Sequence, residues 1–158
     1  MYTRVVSDDP YVMALRWLAR RELSEAQVRE RLRRKGVDVE IAEEAVGRLL
    51  RERAIDDRRV ASAYARTQTV TKGRGRDRVR REIEALGIRA DVARAAVDEV
   101  FAEVDEGALL EKALDRKWPT TGDVDAADVQ RVYRALIRQG FASDATLAAI
   151  RVRQKTRR

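Results

Sequence analysis

The segment VRERLRRKGV, residues 28–37, is echoed by VRREIEALGI at 79–88 and by VYRALIRQGF at 132–141. Aligned on Gly36, Gly87 and Gly140, the three copies stand 51 and 53 residues apart. Val28, Val79 and Val132 lie eight places before the glycine, and Leu32, Ile83 and Leu136 four places before it. Val37, Ile88 and Phe141 follow at once, and the pairs Ala45–Val46, Ala96–Val97 and Ala149–Ile150 occupy the ninth and tenth places after it. Columns of this kind at a fixed period are the mark of an internal repeat.

Each copy reads as three helices. Ser24 is a good N-cap, Gln27 completes a capping box, and Leu23 can staple onto Val28. Gly36, Gly87 and Gly140 stand where a helix ends in a residue of positive φ. The third helix follows directly, with Ile41, Ala45, Val46 and Leu49 on one apolar face and Val92, Ala96, Val97 and Val100 on its counterpart. Asp56 can cap the first helix of the second unit, with Ile55 and Val60 as a staple pair. TVTKGRGRD (69–77) and PTTGDVDAAD (119–128) read as loops. The expected architecture is all-α: a tandem array of three-helix units at 10–54, 55–104 and 105–153, then a basic tail at 154–158. Single units look too poor in large apolar residues to bury much core alone, so faces between neighbours should be buried by stacking. An elongated, curved body is expected. Trp17, Tyr64, Trp118 and Tyr133 are expected to pack within or between units.

Composition narrows the chemistry. The 158 residues include no Cys and no His, which excludes disulfides, thiol chemistry, zinc-finger ligands and a Ser-His-Asp triad. No apolar run approaches the ~20 residues of a membrane span, and MYTRVVSDDP lacks a signal-peptide core, so a cytoplasmic protein is expected. TKGRGRD is not a GxxxxGK[ST] phosphate loop and follows no strand. No metal or cofactor is called for, and nothing points to an enzyme.

The net charge of +7 is unevenly placed. Residues 66–81 carry seven basic residues against Asp77, and 151–158 carry five with no acid. Concentrated positive charge is the footprint of a polyanion binder. The later helix of each pair is a poor major-groove reader: Glu40, Glu43 and Glu44 line the first, Asp91, Asp98 and Glu99 the second, and neither has Asn or Gln. The middle helices differ. Arg78 and Arg81 share repeat positions with Arg131 and Arg134, Arg74 extends the stripe back, and Arg138 extends it forward. Spacings of three and four keep each set on one side of its helix. Stacked units should lay the two stripes side by side. Lys72 lies in the same basic window, and Arg34 is the remaining cation of the first unit.

Four segments together resemble the RecX family: ALRWLARRELSEAQVRERLRRKGV, AIDDRRVASAYART, KGRGRDRVRREIEALGI and LIRQGF. The resemblance runs from about Tyr11 to Val152. Val60 stands where the family often has Phe. It implies tandem three-helix repeats and a bacterial protein that modulates the RecA recombinase, mainly by inhibition. Such a protein binds in the groove of the RecA–DNA filament and opposes its growth, ATP hydrolysis and strand exchange. It would act as a monomer without catalytic residues, with the RecA filament and DNA as partners and no membrane. The rival reading is a helical protein that binds single- or double-stranded DNA directly and without sequence preference.

Overall fold

The computed structural model of the chain describes residues 9–156, and all regular structure among them is helical. Residues 1–8, which carry most of the segment read above for a signal core, and the last two residues of the basic tail lie outside that range.

The first unit comprises α1 (Pro10–Leu18), α2 (Glu25–Arg34) and α3 (Val39–Arg51). The second comprises α4 (Asp57–Arg66), continued by a π-helical turn (Thr67–Thr71), then α5 (Arg76–Ala85) and α6 (Ala90–Ala102). The third comprises α7 (Glu106–Lys117), α8 (Ala126–Gln139) and α9 (Ser143–Thr156). The boundaries follow local chemistry. Ser24 Oγ accepts from the Gln27 N–H and Gln27 Oε1 accepts from the Ser24 N–H, both at 3.1 Å. Asp56 accepts from the N–H groups of Arg58 and Arg59. Gly36, Gly87 and Gly140 have φ of 75°, 80° and 101°. The left-handed turn lets the next N–H reach back, from Val37 to Leu32 O at 3.1 Å and from Phe141 to Leu136 O at 3.2 Å.

Each unit has its own core. Leu23, Val28, Leu32, Val46, Leu49 and Ile55 are buried together in the first. Val79, Ile83, Ile88, Val97, Val100 and Phe101 are buried in the second, and Leu110, Leu114, Trp118, Leu136, Phe141 and Ile150 in the third. This corrects the expectation that stacking would bury the apolar faces. Helices pack extensively only within units, α1 and α2 on α3, α4 and α5 on α6, α7 and α8 on α9. Columns of Ala on the helices let the backbones approach, so a few Leu, Val and Ile side chains suffice to fill the space between three short helices. Ile55 falls in the first cluster and Val60 in the second, so they close two different cores. Trp17, Tyr64, Trp118 and Tyr133 all pack against the core of their own unit.

Neighbouring units meet through helix ends. The Gly75 N–H, at the N-cap of α5, donates to Gln139 O at 2.9 Å, and the Asp77 N–H donates to Gly140 O at 3.1 Å. The first junction repeats the plan: the Ser24 hydroxyl donates to Leu86 O at 2.5 Å, beside Gly87. At the second junction open N–H groups at the start of α5 thus meet open carbonyls at the end of α8, and at the first the Ser24 hydroxyl takes the place of the N–H; in both the helix dipoles run head to tail. Contact is close enough to require glycine: a Cβ on Gly140 would stand 2.5 Å from Arg78 Cβ, and one on Gly87 would overlap Ala26. The Arg59–Glu22 ion pair at 2.8 Å braces the first junction, and the amide of Gln139 donates to Gly73 O at 2.9 Å across the second.

One loop and the basic tail depart from expectation. TVTKGRGRD begins as helix, because the π turn carries α4 on to Thr71 and buries Thr69 before Lys72–Gly75 turn the chain. At the other end α9 runs through Gln154 and Lys155 to Thr156, so the start of the basic tail is helical.

Candidate interaction surface

The second junction gathers positive charge. Lys72, Arg74 and Arg78 from the second unit face Lys117, Arg138 and Gln139 from the third across a cleft of about 280 Å³. Lys72 arrives at the end of the π turn and Arg74 in the link to α5. Arg78 sits one turn into α5, beside the α8 terminus that α5 docks on, and its guanidinium donates to Arg138 O at 3.5 Å. Lys117 ends α7, which packs on α8.

Glu82 organises one wall. It takes hydrogen bonds from Arg74 at 2.7 and 2.8 Å, from Arg78 at 2.8 Å and from the Tyr64 hydroxyl at 3.2 Å. Burial alone would raise its pKa, but the hydrogen bonds and charges of Arg78 and Arg74 outweigh it and hold the carboxyl below its ordinary value. Glu82 is therefore ionised at neutral pH, and both guanidinium groups are held in place. Lys72, Lys117 and Arg138 have no acid partner among the described residues. Five cations against one carboxylate leave the cleft strongly positive, and three of the cations are free to meet a phosphate or carboxylate.

Of the eight residues singled out by sequence, Lys72, Arg74, Arg78 and Arg138 line this cleft. Arg81 lies further along α5, donating to its own helix at Asp77 O at 3.2 Å. Arg131 is bound to Asp128 at 2.5 Å. Arg134 is exposed on α8 and unpaired among the described residues. Arg34, on the first unit, is held by Glu30 at 2.8 Å, and hydrogen bonds from Arg33 and Arg34 lower that carboxyl to about 2. The stripes do not lie side by side as expected. Because α5 docks by its N-terminus on the C-terminus of α8, they meet end to end, and Arg78 neighbours Arg138 instead of its repeat counterpart Arg131.

The local charge of residues 66–81 is also smaller than the sequence window implies. Arg66 pairs with Glu103, Arg76 with Asp98 and Glu106, and Arg80 with Glu84. All four acids come from outside the window. Lys117 was the member that sequence reasoning missed. It lies outside the repeat columns, and only the packing of α7 on α8 carries it to the cleft. Among the described residues no group of acids could hold a metal ion, and no helix is long and apolar enough to cross a membrane.

The chain is similar to proteins of one family. Residues 11–49 match the family model described as RecX, first three-helix domain. The regulatory protein RecX of Syntrophotalea carbinolica is 35% identical over 139 residues, covering 85% of this chain and 90% of its own. That of Geobacillus thermodenitrificans is 36% identical over 137 residues, but the chain spans about half the length of this relative. Among solved structures, RecX from Lactobacillus salivarius superposes with a TM-score of 0.72 at 23% identity, over 92% of this chain and 97% of the other. A second crystal structure of a regulatory protein RecX gives 0.80 at 22% identity, over 89% and 70%. With the repeat columns, the three-unit fold and a relative matched over nine tenths of its length, the chain belongs to the RecX family.

Proposed function

We propose that this chain regulates the RecA recombinase by binding the RecA–DNA filament, mainly inhibiting ATP hydrolysis, strand exchange and filament growth. Family membership supports the partner, and the junction cleft supports the mode of contact. Lys72, Lys117 and Arg138 project unpaired cations from two units into one recess, which suits a row of phosphates or an acidic protein face. The mechanism is occupancy: an extended chain of units lies along the filament, and no bond is made or broken by its own residues. DNA inside the filament is a natural source of the phosphates, so the direct DNA-binding reading becomes part of this one.

The test adds the purified chain to RecA on single-stranded DNA and follows ATP hydrolysis and strand exchange. Both should fall at concentrations that leave free DNA uncoated in a mobility-shift assay. Changing Lys72, Lys117 and Arg138 together to Glu should weaken the inhibition at least tenfold while the melting temperature holds, since exposed cations add little stability. The wild-type salt dependence should be steeper, by a slope of about two to three if all three meet phosphate. A folded chain in several-fold excess that leaves both activities unchanged would reject the reading. Inhibition that tracks free-DNA coating would reduce it to DNA binding alone.

A further inference from the structure

The junctions of the array also bear on how copies of the chain meet, independently of any RecA partner. Both are built alike. A middle helix ends in a left-handed glycine, and the carbonyl just before that glycine accepts from the N-cap of the incoming middle helix: Leu86 O from the Ser24 hydroxyl, Gln139 O from the Gly75 N–H. The first unit carries the same terminus at Lys35–Gly36, with φ of 75° at the glycine. Nothing lies within 4 Å of a Cβ placed there, and the carbonyls of Lys35 and Gly36 accept no hydrogen bond among the described residues. Val37 is half-exposed, whereas its counterparts Ile88 and Phe141 are buried. Among the described residues this is the one socket of the three that is open.

At the other end of the array, α8 is the one middle helix whose N-terminus docks on no other unit among the described residues. It begins with Asp125 in its own capping box, followed by Ala126 and Ala127, small and exposed, whose N–H groups have no acceptor among the described residues. Relative to Ser24 and Gly75, α8 starts about one turn earlier in the repeat frame, so this first turn projects. The charges of the two ends are opposite. Arg31, Arg33, Arg34 and Lys35 crowd the end of α2, and Arg33 and Arg34 share the single acid Glu30. Asp123 and Asp125, at the start of α8, have no basic partner among the described residues.

We infer that the α2 terminus at Lys35–Gly36 is a docking socket for the α8 N-terminus of a second copy of this chain. The α8–α5–α2 column then continues from one molecule to the next. The contact joins two different surfaces, so it is heterologous, and unless the rotation closes a ring it propagates as an open array. A monomer is then the building block, with association favoured by low salt and high local concentration.

The experiment is sedimentation velocity on the full chain over a wide concentration range at low and high salt. The sedimentation coefficient should rise with concentration without stopping at a dimer, and the rise should shrink in high salt. Gly36→Asn should shift it to at least tenfold higher concentration: asparagine tolerates the left-handed turn, but its side chain occupies the socket. Since the chain has no cysteine, cross-linking gives a second readout that does not depend on how that variant folds. A Lys35→Cys chain mixed with an Asp125→Cys chain should form one mixed disulfide dimer under mild oxidation, and the double variant a ladder. A monomer at every concentration without the mixed dimer would overturn the inference. So would a Lys35→Cys chain that pairs with itself, or a closed dimer indifferent to Gly36→Asn, because either means a symmetric interface elsewhere.

Discussion

Three glycines hold the same column of the repeat, yet they bear different loads. Gly36 needs only its positive φ, since nothing faces it. Replacing it with Ala should cost about 1 kcal/mol, the ordinary penalty of a left-handed turn for an L residue. Gly140 is buried and has φ of 101°, with Arg78 Cβ and Gly75 O at 2.5 and 2.7 Å from where a methyl would sit. Gly140→Ala therefore adds overpacking against a neighbouring backbone, about 1–3 kcal/mol beyond the strain. Urea melts of the two variants check this. Equal losses would mean that the close approach of α5 to α8 is absent in solution.

At the scale of the helix, the N-caps divide in the same way. Asp105 caps α7 by accepting from the Ala108 N–H and has no hydrogen bond or ion pair to another unit among the described residues. Ser24 caps α2, completes a box with Gln27, and donates its hydroxyl to Leu86 O in the next unit while fully buried. Asp105→Ala should cost ~1 kcal/mol, the usual value of a cap. Ser24→Ala should cost about 1 kcal/mol more, because it also removes the donor that satisfies the Leu86 carbonyl at the junction. The excess should fall on the first junction, read as faster hydrogen exchange at the Glu25 and Ala26 amides. Similar losses for the two, with no change in exchange there, would show that the Ser24–Leu86 bond contributes nothing to holding the units.

For the whole molecule, three cores joined mainly at helix tips, the second and third also sharing contact with Leu109, suggest nearest-neighbour coupling instead of one cooperative block. Leu136 is fully buried in the third core. Leu136→Ala removes about 2–5 kcal/mol of packing from that unit. Native-state hydrogen exchange should then lose protection in α7, α8 and α9 while α1 to α3 keep theirs, and the second unit should weaken mainly where Gly75 and Asp77 donate to α8. Uniform loss across all nine helices would mean that the junctions couple the units far more tightly than a few terminal hydrogen bonds imply.

Much of this architecture was legible in the chain itself, because it depends on nearby residues. Helix period, the Ser24–Gln27 box, the Asp56 cap and the glycine stops are set by local backbone chemistry, and three aligned copies multiply that signal. The candidate surface was half legible. The repeat frame pointed to Lys72, Arg74, Arg78 and Arg138, which lie on or beside the middle helices. It also pointed to Arg131 and Arg34, which the fold ties to Asp128 and Glu30. What the frame could not determine was how units meet, since that depends on which helix tips come within hydrogen-bond distance. The tertiary structure joins α5 to α8 through Gly75, Gln139 and Gly140. That contact turns two parallel stripes into one cleft, brings in Lys117 from outside the repeat columns, and leaves the socket at Gly36 open, because no residue of the described chain stands where the next helix would dock.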